Sequence, residues 1–340
     1  MIAIVTTIQE PTECIRGLAA ALSEAGSSLV VIGDTKGPAS FDLEGAQLFS
    51  LEDQSKLPFS LAQLLPTGHY ARKNLGYLIA MSRKADCIYE TDDDNAPLPA
   101  WAVRSVRPEA QKVAPTSWLN VYRLFCDEMI WPRGFPLGLL HDPATCEHDP
   151  NSPLSMVHAP IQQGLVALSP DVDAVWRLVM AREVTFEHRP SVWLPPGTWC
   201  PFNSQSTWWW GPAFPLMYLP SYCSFRMTDI WRSFIAQRCL WEMDLGIVFH
   251  APEVVQQRNV HNLMHDFEDE VPGYLGNERI ATRLMDLSLE PCTDPASAAE
   301  ATAANLCRCY ERLVGDGFLG PDEMQLVQAW VKDLANIASE

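Results

Sequence analysis

Two unbroken apolar runs near the start of the chain, Ile2-Ala3-Ile4-Val5 and Leu29-Val30-Val31-Ile32, restrict the fold more than any other feature. Between them, Pro11 to Ala25 places Ile15, Leu18, Ala19 and Leu22 at helical spacing, and Gly26 closes the segment. Strand, helix and strand in this order make a βαβ unit, which requires parallel pairing and a sheet covered on both faces. The pattern continues with a short strand over 46–51. After Pro66-Thr67-Gly68 a helix runs from His69 to Arg83 with Leu75, Leu78 and Ile79 on one stripe, and a strand follows from Asp86 to Glu90. The expectation is an α/β fold with a mostly parallel mixed sheet.

Directly after that strand comes Tyr89-Glu90-Thr91-Asp92-Asp93-Asp94-Asn95, four carboxylates within a few residues. Like charges about 4 Å apart repel by about 1 kcal/mol even in water, so an ordered cluster of this kind calls for a cation or a proton. Open α/β sheets bind ligands outside the carboxyl ends of their strands, where this cluster falls. On an extended backbone Asp92 and Asp94 project to one side and Asp93 to the other. Asp92 and Asp94 are therefore the expected ligands of Mn²⁺ or Mg²⁺, hard ions that complete their shell from phosphate oxygens. A solvated turn punctuated by Asn95 and Pro97 is the alternative.

The remainder of the chain is less periodic. From Pro97 to about Ser224, prolines, glycines and tryptophans are frequent, and Trp208-Trp209-Trp210 reads first as core and second as a platform for a sugar or base. A helix is expected from Thr228 to Met243, a short strand over Ile247-Val248-Phe249, and helices beyond Pro272, including 296–313 and 321–338. The division expected is 1–100 as a nucleotide-binding half, 101–270 as an acceptor-binding half of the same domain, and 271–340 as a helical tail.

A formal charge of −18 without any basic run argues against nucleic acid or an anionic membrane as partner. The start reads straight into a strand, and no apolar stretch approaches the roughly 20 residues of a spanning helix, so a cytoplasmic protein with no integral membrane segment is expected. Ten scattered cysteines form no disulfide framework and read as reduced thiols. Cys146, His148 and Asp149, beside His141 and Asp142, read as an exposed loop rather than a zinc site.

The run Ala71-Arg72-Lys73-Asn74-Leu75-Gly76-Tyr77 followed by Asp86-Cys87-Ile88-Tyr89-Glu90-Thr91-Asp92-Asp93-Asp94 resembles the GT-A glycosyltransferase pattern, in which an Arg-Asn-Gly helix precedes a strand bearing a DxD motif. Together with Ile4-Val5-Thr6-Thr7-Ile8-Gln9-Glu10-Pro11-Thr12, Val31-Ile32-Gly33-Asp34-Thr35-Lys36 and Thr228-Asp229-Ile230-Trp231-Arg232-Ser233, the order and spacing resemble the STELLO-like glycosyltransferase family, up to about residue 275. The resemblance implies a GT-A fold with C-terminal helices and a metal-dependent transfer of sugar from a nucleoside diphosphate, UDP by preference, to a hydroxyl, with inversion. The acceptor would be a glycan or glycolipid.

By the same resemblance Thr6, Thr7 and Gln9 lie where the nucleobase is held, and Asp34 accepts from the base or ribose or else caps a turn. Arg72 and Lys73, near a helix N-terminus, suit phosphate, with a solvated helix face as the alternative for Lys73. Asp93 joins the donor site, and Arg226 or Arg232 would grip the diphosphate. Asp229 stands where inverting relatives carry a general base, although a carboxylate in a first helical turn also serves the helix dipole or pairs with Arg232. His261 would complete the metal site, with His250 and His265 behind it. A nucleotide-sugar mutase, or a non-catalytic assembly factor associated with other glycan-synthesis proteins, is the alternative function.

Overall fold

A computed structural model of the chain describes residues 1–256, 262–294 and 297–339. Its strands are β1 (Ile2–Thr6), β2 (Ser28–Ile32), β3 (Ala46–Phe49), β4 (Cys87–Thr91), β5 (Asn95–Pro97), β6 (Glu109–Lys112), β7 (Leu154–Met156), β8 (Ile161–Ala167), β9 (Val192–Leu194), β10 (Ser206–Trp210) and β11 (Ile247–Gln256). The helices are α1 (Glu13–Glu24), α2 (Leu51–Ser55), α3 (Lys73–Ser82), α4 (Ala174–Met180), α5 (Thr228–Trp241), α6 (Leu263–Met285), α7 (Ala298–Gly315) and α8 (Glu323–Ser339). One sheet runs in the order β3-β2-β1-β4-β10-β8-β11-β9-β6-β7, with β5 paired to β11. It is parallel through β3-β2-β1-β4 and between β8 and β11, and β10 enters antiparallel beside β4.

Strand alternation sorts the core into two layers. Ala3, Val5, Leu29 and Val31 face α1, whose Ile15, Leu18 and Leu22 cover them, while Ile4, Val30 and Ile32 face α3 on the other side. The three tryptophans obey the same rule: Trp208 and Trp210 join the α1 layer and Trp209 the α3 layer, so this run is core. Gly76 lets α3 lie close on β1, since a Cβ there would stand 2.5 Å from Ile4 Cγ2.

Helices α5 to α8 extend the α3 layer, and α8 is tied in by Asp333, whose carboxylate accepts from the Ser60 and Leu61 N–H groups at 2.7 and 2.8 Å. All ten cysteines are free, and seven are buried. No described helix is long and apolar enough to cross a membrane.

Two elements differ from their sequence expectation. The strand starting at Ile247 does not stop at Phe249, because a register shift between His250 and Val254 absorbs Pro252 and the strand resumes to Gln256. Helix α6 begins at Leu263 and carries Pro272 inside it. Pro272 leaves the Glu268 carbonyl without a helical donor, and both residues are exposed.

Candidate active site

The acidic run does not behave as one cluster. Glu90 points into the α3 layer, fully buried, where it pairs with Arg232 at 3.0 Å and accepts from Trp209 Nε1 at 3.0 Å and from the Tyr77 hydroxyl. Arg232 is enclosed with it, its guanidinium 4.9 Å from the Trp209 ring centre. It therefore belongs to the core and cannot grip a diphosphate in the cleft.

Strand β4 ends at Thr91, one residue earlier than simple alternation requires, and Asp93-Asp94 form a turn into β5. Extended-strand geometry thus does not govern the three aspartates, yet all three line one cavity. Asp92 accepts from Lys73 Nζ at 2.8 Å, and the same ammonium donates to the Thr91 carbonyl at 2.9 Å. Lys73 is buried, so the solvated-face alternative fails for it. Burial raises the Asp92 carboxyl to about 7 despite Lys73, with Asp94 and Asp229 adding repulsion. Asp93 turns toward β1, accepting from Thr7 Oγ1 at 2.5 Å, and burial raises its carboxyl as well. The Asp93 carbonyl accepts from Thr12 Oγ1 at 2.9 Å, which fastens the turn to the N-cap of α1. Asp94 accepts from Gln256 Nε2 at 3.0 Å, a contact that exists because β11 runs on past Pro252.

Two adjoining compartments make up the cleft at these strand ends, and they share Thr6, Tyr70, Asp93 and Phe225. The first, about 410 Å³, is walled by Ile8, Ile32, Thr7 and the aromatic group His69, Tyr70 and Phe225, in which Tyr70 and Phe225 meet edge to face at 4.8 Å. Asp34 lines it, but its carboxylate accepts from the N–H groups of Thr35, Gly68 and His69 at 2.7, 2.9 and 2.9 Å. The turn reading of Asp34 thus holds, and the residue also pins the 68–69 loop against the end of β2.

Arg72 lines the same compartment from a single-turn helix, Tyr70–Arg72, and is held by Gln54 Oε1 at 2.7 Å and the Leu65 carbonyl at 3.0 Å. Burial lowers its pKa, and no described carboxylate pairs with it within 4.0 Å. Gln9 is exposed and lines neither compartment; its N–H donates to Thr7 Oγ1 at 3.0 Å.

In the second compartment, about 290 Å³, stand Asp92, Asp94, Asp229, Arg133, Arg226 and Gln205. Asp229 does not pair with Arg232. Arg133 Nη2 reaches both its oxygens at 3.1 and 3.0 Å, the Ser204 N–H donates at 3.2 Å, and the Tyr70 hydroxyl donates at 3.3 Å. Arg133 also makes a bidentate pair with Asp171 at 2.8 and 2.7 Å.

Arg133 is the main residue that sequence reasoning missed. The only signal was a single cation between Pro132 and Gly134 in an acidic chain. Gly134 is required there: its φ is +92, and a Cβ would stand 2.4 Å from Ile230 Cγ2, so glycine alone brings the loop against α5. Arg226 lies at the rim of the compartment and is paired with buried Glu270 at 2.8 Å.

Among the described residues no three His, Cys, Asp or Glu side chains converge as a ready metal site. His261 lies outside the described residues. His250 is buried between Ser191 and Gln162, at 2.7 and 2.9 Å, and His265 is exposed on α6, so neither lines the cleft. The donor set nevertheless suits a hard divalent cation, because the carboxylates of Asp92, Asp94 and Asp229 line one compartment.

A parallel β3-β2-β1-β4 run with an antiparallel β10 beside it, helices packed on both faces and an acidic turn at the end of β4 make this a mixed α/β protein. Residues 226–340 match the family described as STELLO glycosyltransferases. Two relatives from Arabidopsis thaliana align over 97% of this chain: "Probable glycosyltransferase STELLO2" at 26% identity and "Probable glycosyltransferase STELLO1" at 25%. The chain spans 44% of the length of each, less than half. A solved structure titled "Crystal Structure of a Mycobacterial Protein" aligns with TM-score 0.39 and 10% identity over 82% of this chain and 74% of that one. By these matches the chain is similar to the STELLO proteins along nearly its whole length.

Proposed function

We propose that the chain is a glycosyltransferase that moves a sugar from a nucleoside diphosphate, UDP by preference, to a hydroxyl of a glycan or glycolipid. The observation that carries this reading is the divided cleft: an apolar, aromatic compartment at the ends of β1 and β2 opens into an acidic one at the end of β4. A flat base suits the first, with Phe225 and Tyr70 as its wall and Arg72 as its buried cation. The second suits a cation-bound diphosphate with its sugar directed at Asp229. The relatives' names as probable glycosyltransferases support the same class.

Asp92 and Asp94 would hold Mn²⁺ or Mg²⁺, which when bound neutralises the departing diphosphate. Lys73 keeps Asp92 in place, and Gln256 does the same for Asp94. In the transfer the acceptor oxygen bonds to the anomeric carbon as the bond from that carbon to the phosphate oxygen breaks. The diphosphate leaves with the electron pair, and Asp229 takes the acceptor proton. Attack from the Asp229 side, opposite the diphosphate, inverts the anomeric centre.

Replacing Asp94 with alanine tests the reading. UDP binding measured by calorimetry with Mn²⁺ is expected to weaken by about 100-fold or more, beyond the cost of losing a supporting contact at a metal site. Unchanged UDP affinity in that variant would remove the metal assignment.

A further inference from the structure

Around the acidic compartment, three buried amide oxygens have no hydrogen-bond partner among the described residues: Asn95 Oδ1, Gln205 Oε1 and Gln256 Oε1. Gln205 and Gln256 line the compartment itself, and Gln205 is only 6% exposed. Both are held rigidly by their surroundings. The Gln205 carbonyl accepts from Thr91 Oγ1 at 2.6 Å and Asn95 Nδ2 at 2.9 Å, and its N–H donates to Asn203 Oδ1 at 3.0 Å. Its side chain, by contrast, makes no hydrogen bond to any described residue, although Gln205 lines the compartment. Gln256 stands opposite Asn95 in the β5–β11 pairing, and its Nε2 is spent on Asp94.

A buried acceptor without a donor is costly, and natural sites leave few of them. The donors that line the compartment are engaged elsewhere: Arg133 on Asp171 and Asp229, Arg226 on Glu270, and the Ser204 N–H and the Tyr70 hydroxyl on Asp229. A diphosphate brings no donor hydrogens either, and a base belongs in the other compartment. Sugar hydroxyls both donate and accept, which matches what a primary amide offers.

We propose that Gln205 and Gln256 form the subsite that reads the hydroxyl groups of the transferred sugar. The proposal rests on the glycosyl-transfer reading and adds to it the residues that select the sugar.

Calorimetry on the full chain with Mn²⁺ tests it, comparing UDP with UDP-glucose, UDP-galactose, UDP-N-acetylglucosamine and UDP-xylose. At least one sugar nucleotide is expected to bind the native chain more tightly than UDP. In Gln205→Ala that advantage is expected to fall about five-fold, the worth of one neutral hydrogen bond, with UDP affinity unchanged. Gln205→Asn, which withdraws the same groups by one methylene, should reproduce the loss with an unchanged melting temperature.

The proposal is overturned if no sugar nucleotide exceeds UDP, or if the advantage survives in both variants. It is also overturned if UDP and its sugar forms weaken equally, which would assign the amide to the cation or phosphates. A native chain that binds neither UDP nor any of these with Mn²⁺ would instead remove the glycosyl-transfer reading itself.

Discussion

Two polar clusters are built from the same three elements and do different things. Helix α3 gives Tyr77 to one and Lys73 to the other; β4 and the turn after it give Glu90 and Asp92; α5 gives Arg232 and Asp229. Beneath the sheet, Glu90 and Arg232 are 0% and 1% exposed and close on each other with Tyr77 and Trp209. One turn or two residues further along, Lys73, Asp92 and Asp229 reach the cleft, and Arg133 joins them from a distant loop. Residue chemistry is nearly the same in both. Access to the cavity separates a cluster that specifies packing from one that can meet a ligand.

The largest expected effect comes from the sealed cluster. Arg232→Met leaves Glu90 buried without a cation and is expected to cost about 3–5 kcal/mol, as breaking a buried pair from one side does. Urea denaturation measures it, and adding Glu90→Gln to the same chain should recover much of the loss, since two neutral groups no longer require each other. Loss of UDP binding with stability intact would instead move Arg232 to the cleft side of the comparison.

Arg133→Met sharpens the contrast from the open side. It leaves Asp171 and Asp229 without their shared cation, but the adjoining cavity admits water, so a smaller loss of about 1–3 kcal/mol is expected. Turnover should suffer more than stability. Asp229 loses the Arg133 Nη2 that holds both its oxygens, and misplacement of a reacting group costs on the order of 100-fold in rate. Release of UDP from a UDP-sugar, followed beside UDP affinity, is the measurement; a rate loss with affinity preserved is the expected result. Equal losses in both would make Arg133 a binding residue.

The parts legible in the sequence were those with local patterns. Ile2–Val5, the α1 repeat and Leu29–Ile32 each carry their own period, and the acidic run announced itself by charge. What charge did not reveal was direction. Glu90 and Asp92 sit in one run, yet one is sealed and the other faces a cavity, because β4 ends between them. The Arg232 assignment failed for the same reason: a helix stripe shows which residues share a side, not which of them extend past the sheet edge. Arg133 and Asp229 are 96 residues apart and meet only because Gly134 lets an irregular loop touch α5. Neither periodicity nor composition encodes that contact. Gln256 reached the cleft through a bulge that a Pro252 strand-breaker rule conceals.

The smallest expected effect concerns pH and distinguishes Asp92 from an ordinary surface aspartate. Its carboxyl titrates at about 7 in the folded chain, through burial first and then repulsion from Asp94 and Asp229, against about 3.9 when unfolded. Between those values the native state holds more protons than the unfolded chain, so stability falls as pH rises from about 4 to about 7 and is level above that. The direction is opposite to that of a carboxylate whose pKa is depressed. With 34% of its side chain open to the cavity, solvent screens the effect, and the slope should be shallow. Melting temperature recorded across this window in the native chain and in Asp92→Asn checks it: the variant should lose the slope attributable to this group. Mn²⁺ binds the ionised form, so added metal should flatten the native curve toward the variant's. If metal leaves the native slope unchanged, Asp92 is a buried acid paired with Lys73 alone, and the division between sealed and open clusters would then run between Asp92 and Asp94.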